Sequence, residues 1–179
     1  MNEYGVLLDD NTVRFERLLP GPIERVWSFL TENDRRAQWL CGGDVETNVD
    51  GHVDMLFHNV SLSSEGDIPR PERFKDMPEK MSFTGRVTRC EPPHVLHHTW
   101  EFGDENSEVC YELTEEGDKV RLVLTHRRLE TPQIVLDVSG GWHTHLNILV
   151  DVLEEKELRP FYKMQEQYGS EYRERLGLS

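Results

Sequence analysis

The chain has 179 residues, a size for one domain with one core, and its 34 acidic against 20 basic residues give a formal net charge of −14. That charge repels nucleic acid and anionic membrane surfaces, so neither is an expected partner. The three cysteines, Cys41, Cys90 and Cys110, are far apart in sequence and form no C-x-x-C pair, which predicts free thiols. The start, "MNEYGVLLDDN", carries no basic segment followed by an apolar one, and no run of 18 apolar residues occurs, so a cytoplasmic protein is expected.

The first element is a strand, "TVRFERLL", in which Val13, Phe15 and Leu18 are interleaved with charged residues. Gly21 and Pro22 then open a short helix carrying Ile23, Val26, Trp27 and Leu30, and a second helix, "NDRRAQWL", is predicted with Asn33 as its cap and Gly42 and Gly43 as its stop. From Gly51 the apolar period becomes two. Val53, Met55 and Phe57 mark one strand; the later ones carry Met81, Phe83, Gly85 and Val87; Leu96, His98, Trp100 and Phe102; Val109, Tyr111 and Leu113; and Val120, Leu122, Leu124 and His126. "GDEN" and "EEGD" read as the turns between strands.

Between these strands, Ser61 to Glu79 holds three prolines and few apolar anchors, a loop long enough to be a lid or a disordered segment. After them, "SGGWHTHLNILVDVLEE" places Trp142, Leu146, Leu149, Val150 and Leu153 on one helical stripe, with Asn147, Asp151 and Glu154 falling away from it. A helix from about Trp142 to about Glu157, ~24 Å long, with Gly140 and Gly141 as a flexible entrance, is the prediction. His143 and His145, two places apart, point in nearly opposite directions and cannot clasp one ion. The tail after Pro160 brings Phe161, Tyr162, Tyr168 and Tyr172 near helical spacing, weakened by Gly169, and reads as an accessory helix. Strands in series with helices at both ends make an α+β domain with an antiparallel sheet.

The order of these pieces, with "PIERVWSFLTENDRRAQWL", "VRLVLTHRRL" and "GGWHTHLNILVDVLEE", resembles the START-like or SRPBCC superfamily, and within it the bacterial proteins similar to the C-terminal domain of the activator of the heat-shock protein ninety ATPase. The resemblance covers about residues 13–157 of a single domain, with 158–179 as a helical extension. It implies a helix-grip fold, in which a curved antiparallel sheet wraps around the long final helix and leaves a hydrophobic cavity. The eukaryotic co-chaperone of that family has a separate N-terminal domain that this chain lacks, so ATPase stimulation does not carry over.

One helix about 10 Å wide cannot fill a broad concave sheet, which independently favours a cavity. Its expected lining is Trp39, Phe57, Phe83, His98, Trp100, Tyr111, His126, Trp142, Leu146 and Leu149. His98 and His126 fall on the apolar face, as hydrogen-bond anchors or proton-transfer groups, or more plainly as core histidines satisfied by a carbonyl or by Tyr111; His126, at a strand end, is the stronger candidate. The aromatic residues suit a flat, mostly apolar ligand such as a phenolic, polyketide or lipid fragment, though core packing explains them as well. No metal-ligand spacing, acyl-transfer motif or phosphate-cradling loop occurs, so no cofactor or metal is expected. The expected partner is a small hydrophobic molecule, bound without catalysis or with weak catalysis. Alternatives are a co-chaperone-like module that meets a protein partner or a second copy, and a polyketide cyclase or aromatase using His126.

Overall fold

The computed structural model describes residues 3–62, 70–102 and 105–177. Seven strands are present among them: β1 (Val6–Asp9), β2 (Thr12–Pro20), β3 (His52–Phe57), β4 (Met81–Glu91), β5 (Val95–Phe102), β6 (Glu105–Glu116) and β7 (Lys119–Arg127). All pairings are antiparallel, in the order β1-β2-β7-β6-β5-β4-β3. Alternation buries Val13 and Phe15 of β2 and Val120, Leu122 and Leu124 of β7 as the sequence predicts, but strict period two carries the inward face of β2 on to Leu19 and leaves the predicted Leu18 exposed. The short β1 was not legible, because Val6 and Leu8 are exposed and its apolar residues do not alternate toward the core. The turn at 103–104 lies outside the described residues.

Two helices join β2 to β3. Helix α1 (Ile23–Thr31) begins after Pro22 and buries Ile23, Val26 and Leu30, as its spacing predicts, while Phe29 takes the fourth inward place and the predicted Trp27 is half-buried. Helix α2 is one turn, Asn33–Arg36, with Glu32 rather than Asn33 as its cap residue. It stops short of the predicted Leu40 because the buried Arg36 side chain turns back to donate hydrogen bonds to the carbonyls of Cys41, Gly42 and Asp54. That clamp ties the helix exit to β3.

The long helix departs most from expectation. Helix α3 spans Pro132–Leu153, 22 residues or ~33 Å, so it starts ten residues before Trp142 and ends at Leu153 rather than at Glu157. Thr131 caps it, its hydroxyl accepting from the Ile134 N–H at 3.2 Å, and Pro132 occupies the first helical position. Gly140 and Gly141 are not an entrance; they sit in the middle of a continuous helix.

Helix α4 (Phe161–Leu176) packs along α3 and buries Phe161, Met164, Gly169 and Tyr172. Helix α4 and the segment leading into it explain why Asn147 and Asp151, predicted to face solvent, are buried: the Asn147 amide donates to the Tyr168 hydroxyl of α4 (2.9 Å), and Asp151 accepts from Arg159, just before α4 (2.8 Å). Gly169, which weakened the helix prediction, is what lets the two helices meet. A Cβ on Gly140 would lie 3.4 Å from the Gly169 backbone. Helix α3 is thus covered by the sheet on one side and by α4 on the other. No helix among the described residues is long and apolar enough to cross a membrane.

Candidate functional site

One end of the space between sheet and helix is filled, and the other is open. Of the ten residues the sequence assigned to a cavity, Trp39, His98, Tyr111, Leu146 and Leu149 belong to the filled end. The Trp39 indole donates to the Phe29 carbonyl at 2.7 Å, the His98 Nδ1–H donates to the Thr99 carbonyl at 2.8 Å, and Leu146 and Leu149 have no exposed surface. Alternation identifies the inward face of a strand but not which stretch of that face is covered.

Phe57, Phe83, Trp100, His126 and Trp142 do meet around a cavity of about 380 Å³, within the range typical of small-molecule sites. The Phe57 ring stands 5.6 Å from Phe83 and 5.5 Å from Trp100, and the Trp142 ring meets Trp100 edge to face at 5.7 Å. Leu40, Met81, Leu129, Ile134 and Val138 complete the apolar wall. Met77 and Asn59, on either side of 63–69, reach the cavity from one side; the choice between a lid and a disordered segment falls on 63–69, outside the described residues. Arg128, Glu130, Asp137 and Gln165 form a polar rim, and Arg128 is held there with a left-handed backbone (φ 63°).

The hydrogen bonds of His126 determine its chemistry. An indole N–H can only donate, so the 3.0 Å contact from Trp142 Nε1 makes His126 Nδ1 an acceptor. The ring proton therefore sits on Nε2 and is given to Ser107 Oγ at 2.7 Å, while the Ser107 hydroxyl is directed at the Trp100 carbonyl. A base that activates a serine needs the reverse polarity, so Ser107 and His126 are not a nucleophile and its base. Burial, reinforced by nearby His98, lowers the His126 pKa to about 3 and keeps it neutral. Trp142→Phe should orphan the buried Nδ1 acceptor at a cost of about 1–3 kcal/mol and release the ring from the Nε2–H tautomer. Urea unfolding and imidazole ¹⁵N shifts measure the two effects; an unchanged tautomer would contradict this assignment.

Two cavity residues escaped sequence reasoning. His145, considered from sequence only as a metal ligand and set aside, donates Nδ1–H to the Trp39 carbonyl at 2.7 Å, which leaves Nε2 as an open acceptor at the cavity. Burial holds its pKa down to about 4, against the opposing pull of that carbonyl. The signal was available: His145 lies one helical turn from Gly141 and Trp142, on the sheet-facing side. Gly141 is the second. It borders the cavity, and a Cβ placed on it would meet nothing within 4 Å. The other histidine of the pair faces α4, where His143 stacks on Tyr168 at 3.7 Å, so the two imidazoles do point apart.

Comparison with known proteins agrees with this architecture. The family model described as activator of Hsp90 ATPase homolog 1-like protein matches residues 20–154. Among solved structures, a Bordetella parapertussis protein determined by solution NMR is 41% identical, with 97% of this chain and 91% of that chain covered and a TM-score of 0.80. CalU16 from Micromonospora echinospora shares the fold at 21% identity, with 94% of this chain and 89% of that one covered and a TM-score of 0.68. DynU16, titled as a protein of the dynemicin biosynthetic locus, does so at 20% identity, covering 82% of this chain and 48% of that one, with a TM-score of 0.62. Among curated proteins nothing matches. A helix-grip domain whose long helix closes a curved antiparallel sheet, matched over residues 20–154, belongs to the family of activator of Hsp90 ATPase homolog 1-like proteins.

Proposed function

We propose that the protein binds a small, largely apolar ligand in the cavity beside Trp142, and that the ligand carries a hydroxyl or N–H donor. Gly141 carries this reading. A glycine inside a long helix costs about 1 kcal/mol relative to alanine, and here no neighbour requires its lack of a side chain. The open volume beside it is what that cost preserves. The aromatic walls match a flat apolar body, and one acceptor, His145 Nε2, faces a ligand donor.

Gly141→Leu should fill the cavity. N-phenyl-1-naphthylamine, an apolar fluorophore with one N–H donor, serves as the probe. Binding to Gly141→Leu should weaken at least tenfold while the urea midpoint stays at or above that of the parent. Gly141→Ala should stabilise the protein by about 0.5–1 kcal/mol. Equal probe affinity in Gly141→Leu would defeat the proposal.

The neighbour from the dynemicin locus is in keeping with a biosynthetic small molecule as ligand. A cyclase-like reaction would have to use His145, since both nitrogens of His126 are engaged. The co-chaperone-like reading gains least, because of the tail aromatics Phe161, Tyr162, Tyr168 and Tyr172 that would meet a partner, Phe161 and Tyr172 are wholly buried within the chain itself and the other two are half-buried.

A further inference from the structure

Besides the His145 acceptor, the cavity offers a ligand a donor. Ser107 stands on β6 in step with Val109 and Tyr111, so alternation turns its side chain to the inner face of the sheet, where it lines the cavity. Val109 and Tyr111 are covered, but Ser107 is only half-buried. Trp100 pairs with it on β5, and His126 lies diagonally across on β7, where it pairs with Val109.

The polarity of His126 extends to this hydroxyl. Trp142 Nε1–H donates to His126 Nδ1 at 3.0 Å, and His126 Nε2–H donates to Ser107 Oγ at 2.7 Å, so the hydrogens run one way, from indole to imidazole to hydroxyl. Burial holds the imidazole neutral, with a pKa of about 3, and the direction persists at neutral pH. An oxygen that has accepted a hydrogen bond is a stronger donor, because each bond in such a chain polarises the next.

The Ser107 proton nevertheless has a poor outlet. The Trp100 carbonyl is 3.4 Å away, beyond the roughly 2.5–3.0 Å usual for O–H···O bonds. The neighbouring N–H groups are all spent: Trp142 on His126, His126 on Ser107, and His145 Nδ1 on the Trp39 carbonyl. A polarised hydroxyl with its hydrogen hardly used therefore ends the chain at a largely aromatic wall.

We propose that Ser107 determines specificity in the cavity by donating to a carbonyl oxygen of the ligand, which makes the ligand class an aromatic carbonyl compound with a separate hydroxyl or N–H for His145. This assignment rests on the cavity reading above. The probes are 2-acetylnaphthalene and 2-isopropenylnaphthalene, alike in shape but differing in the carbonyl, each competing with N-phenyl-1-naphthylamine. Ser107→Val, in which a methyl takes the place of Oγ, should reduce the preference for the ketone over the hydrocarbon about fivefold, and Ser107→Thr should retain that preference. The infrared carbonyl stretch of the ketone bound to the unaltered protein should lie below its value in cyclohexane, a reading that needs no variant to fold. A preference in Ser107→Val equal to that of the parent, or a stretch left at its cyclohexane value, would overturn the role of Ser107 and leave the cavity reading standing. Failure of both probes to displace the fluorophore would overturn the two together.

Discussion

Acidification from pH 7 to pH 5 is expected to unfold the protein. His98, His126, His143 and His145 are all at most 6% exposed, and burial is the first cause that keeps each neutral, with pKa values held at about 4 in His98 and His145 and about 3 in His126 and His143. Neighbouring positive charge adds to this: Arg36 lies near His98, and Arg17, Arg159 and Arg175 lie near His143. In the unfolded chain the same imidazoles titrate near ~6.5. Below that pH the unfolded state takes up protons that the native state refuses, so stability present at neutral pH is lost as the pH falls through 6.5 and goes on falling until 4 to 3. At ~1.4 kcal/mol per pH unit, each histidine costs about 2 kcal/mol at pH 5, and four together about 8 kcal/mol. A domain has about 5–15 kcal/mol in all. Urea midpoints at pH 7.5, 6.5 and 5.5 should therefore drop steeply, and a flat profile would show that the imidazoles are not held neutral.

Removing residues 160–179 should abolish folding rather than release an intact domain. The sequence alone made this segment an accessory helix, separable in principle. In the structure Phe161 and Tyr172 have no exposed surface, and α4 is the cover for Asn147 and His143, polar groups on α3 that would otherwise stand unsatisfied. Phe161→Ala alone should cost about 3–5 kcal/mol through its cavity and lost contacts. Circular dichroism and urea unfolding of the truncated chain and of Phe161→Ala check this. A truncated form that keeps a cooperative transition at the parent midpoint would show α4 to be dispensable.

These two cases show which parts of the molecule its sequence makes legible. Strands β2 to β7 were readable because each has one face in the core, so a period of two appears in Val53-Met55-Phe57 and in Val120-Leu122-Leu124. Helix α3 was harder, since an element covered on two sides has no polar stripe: Trp142 and Leu146 face the sheet while His143 and Asn147 face α4. Its true start was nonetheless written in the Thr131-Pro132 pair, and reading the two glycines as a break hid it. Gly140 and Gly141 answer separate needs, close approach of α4 and vacancy beside Trp142, and only three-dimensional contacts distinguish them. The candidate site was half legible for a similar reason. Phe57, Phe83, Trp100, His126 and Trp142 reach the cavity, whereas Trp39, His98, Tyr111, Leu146 and Leu149 have the same inward signature but lie where α1, α3 and the sheet have already closed.

The clasp between the two ends of the chain also constrains the order in which the fold can be completed. Gly5 donates to the Tyr172 hydroxyl and Tyr4 to Glu171, each across 167 residues. On the ribosome, Tyr4 and Gly5 must wait until Glu171 and Tyr172 have been made before their native neighbours exist. Among the described hydrogen bonds these span the greatest loop, and closing it is an entropic cost that local helix and hairpin formation cannot share. Nascent chains arrested before Tyr172 should therefore leave this end of the sheet unlatched, however complete the hairpins in between.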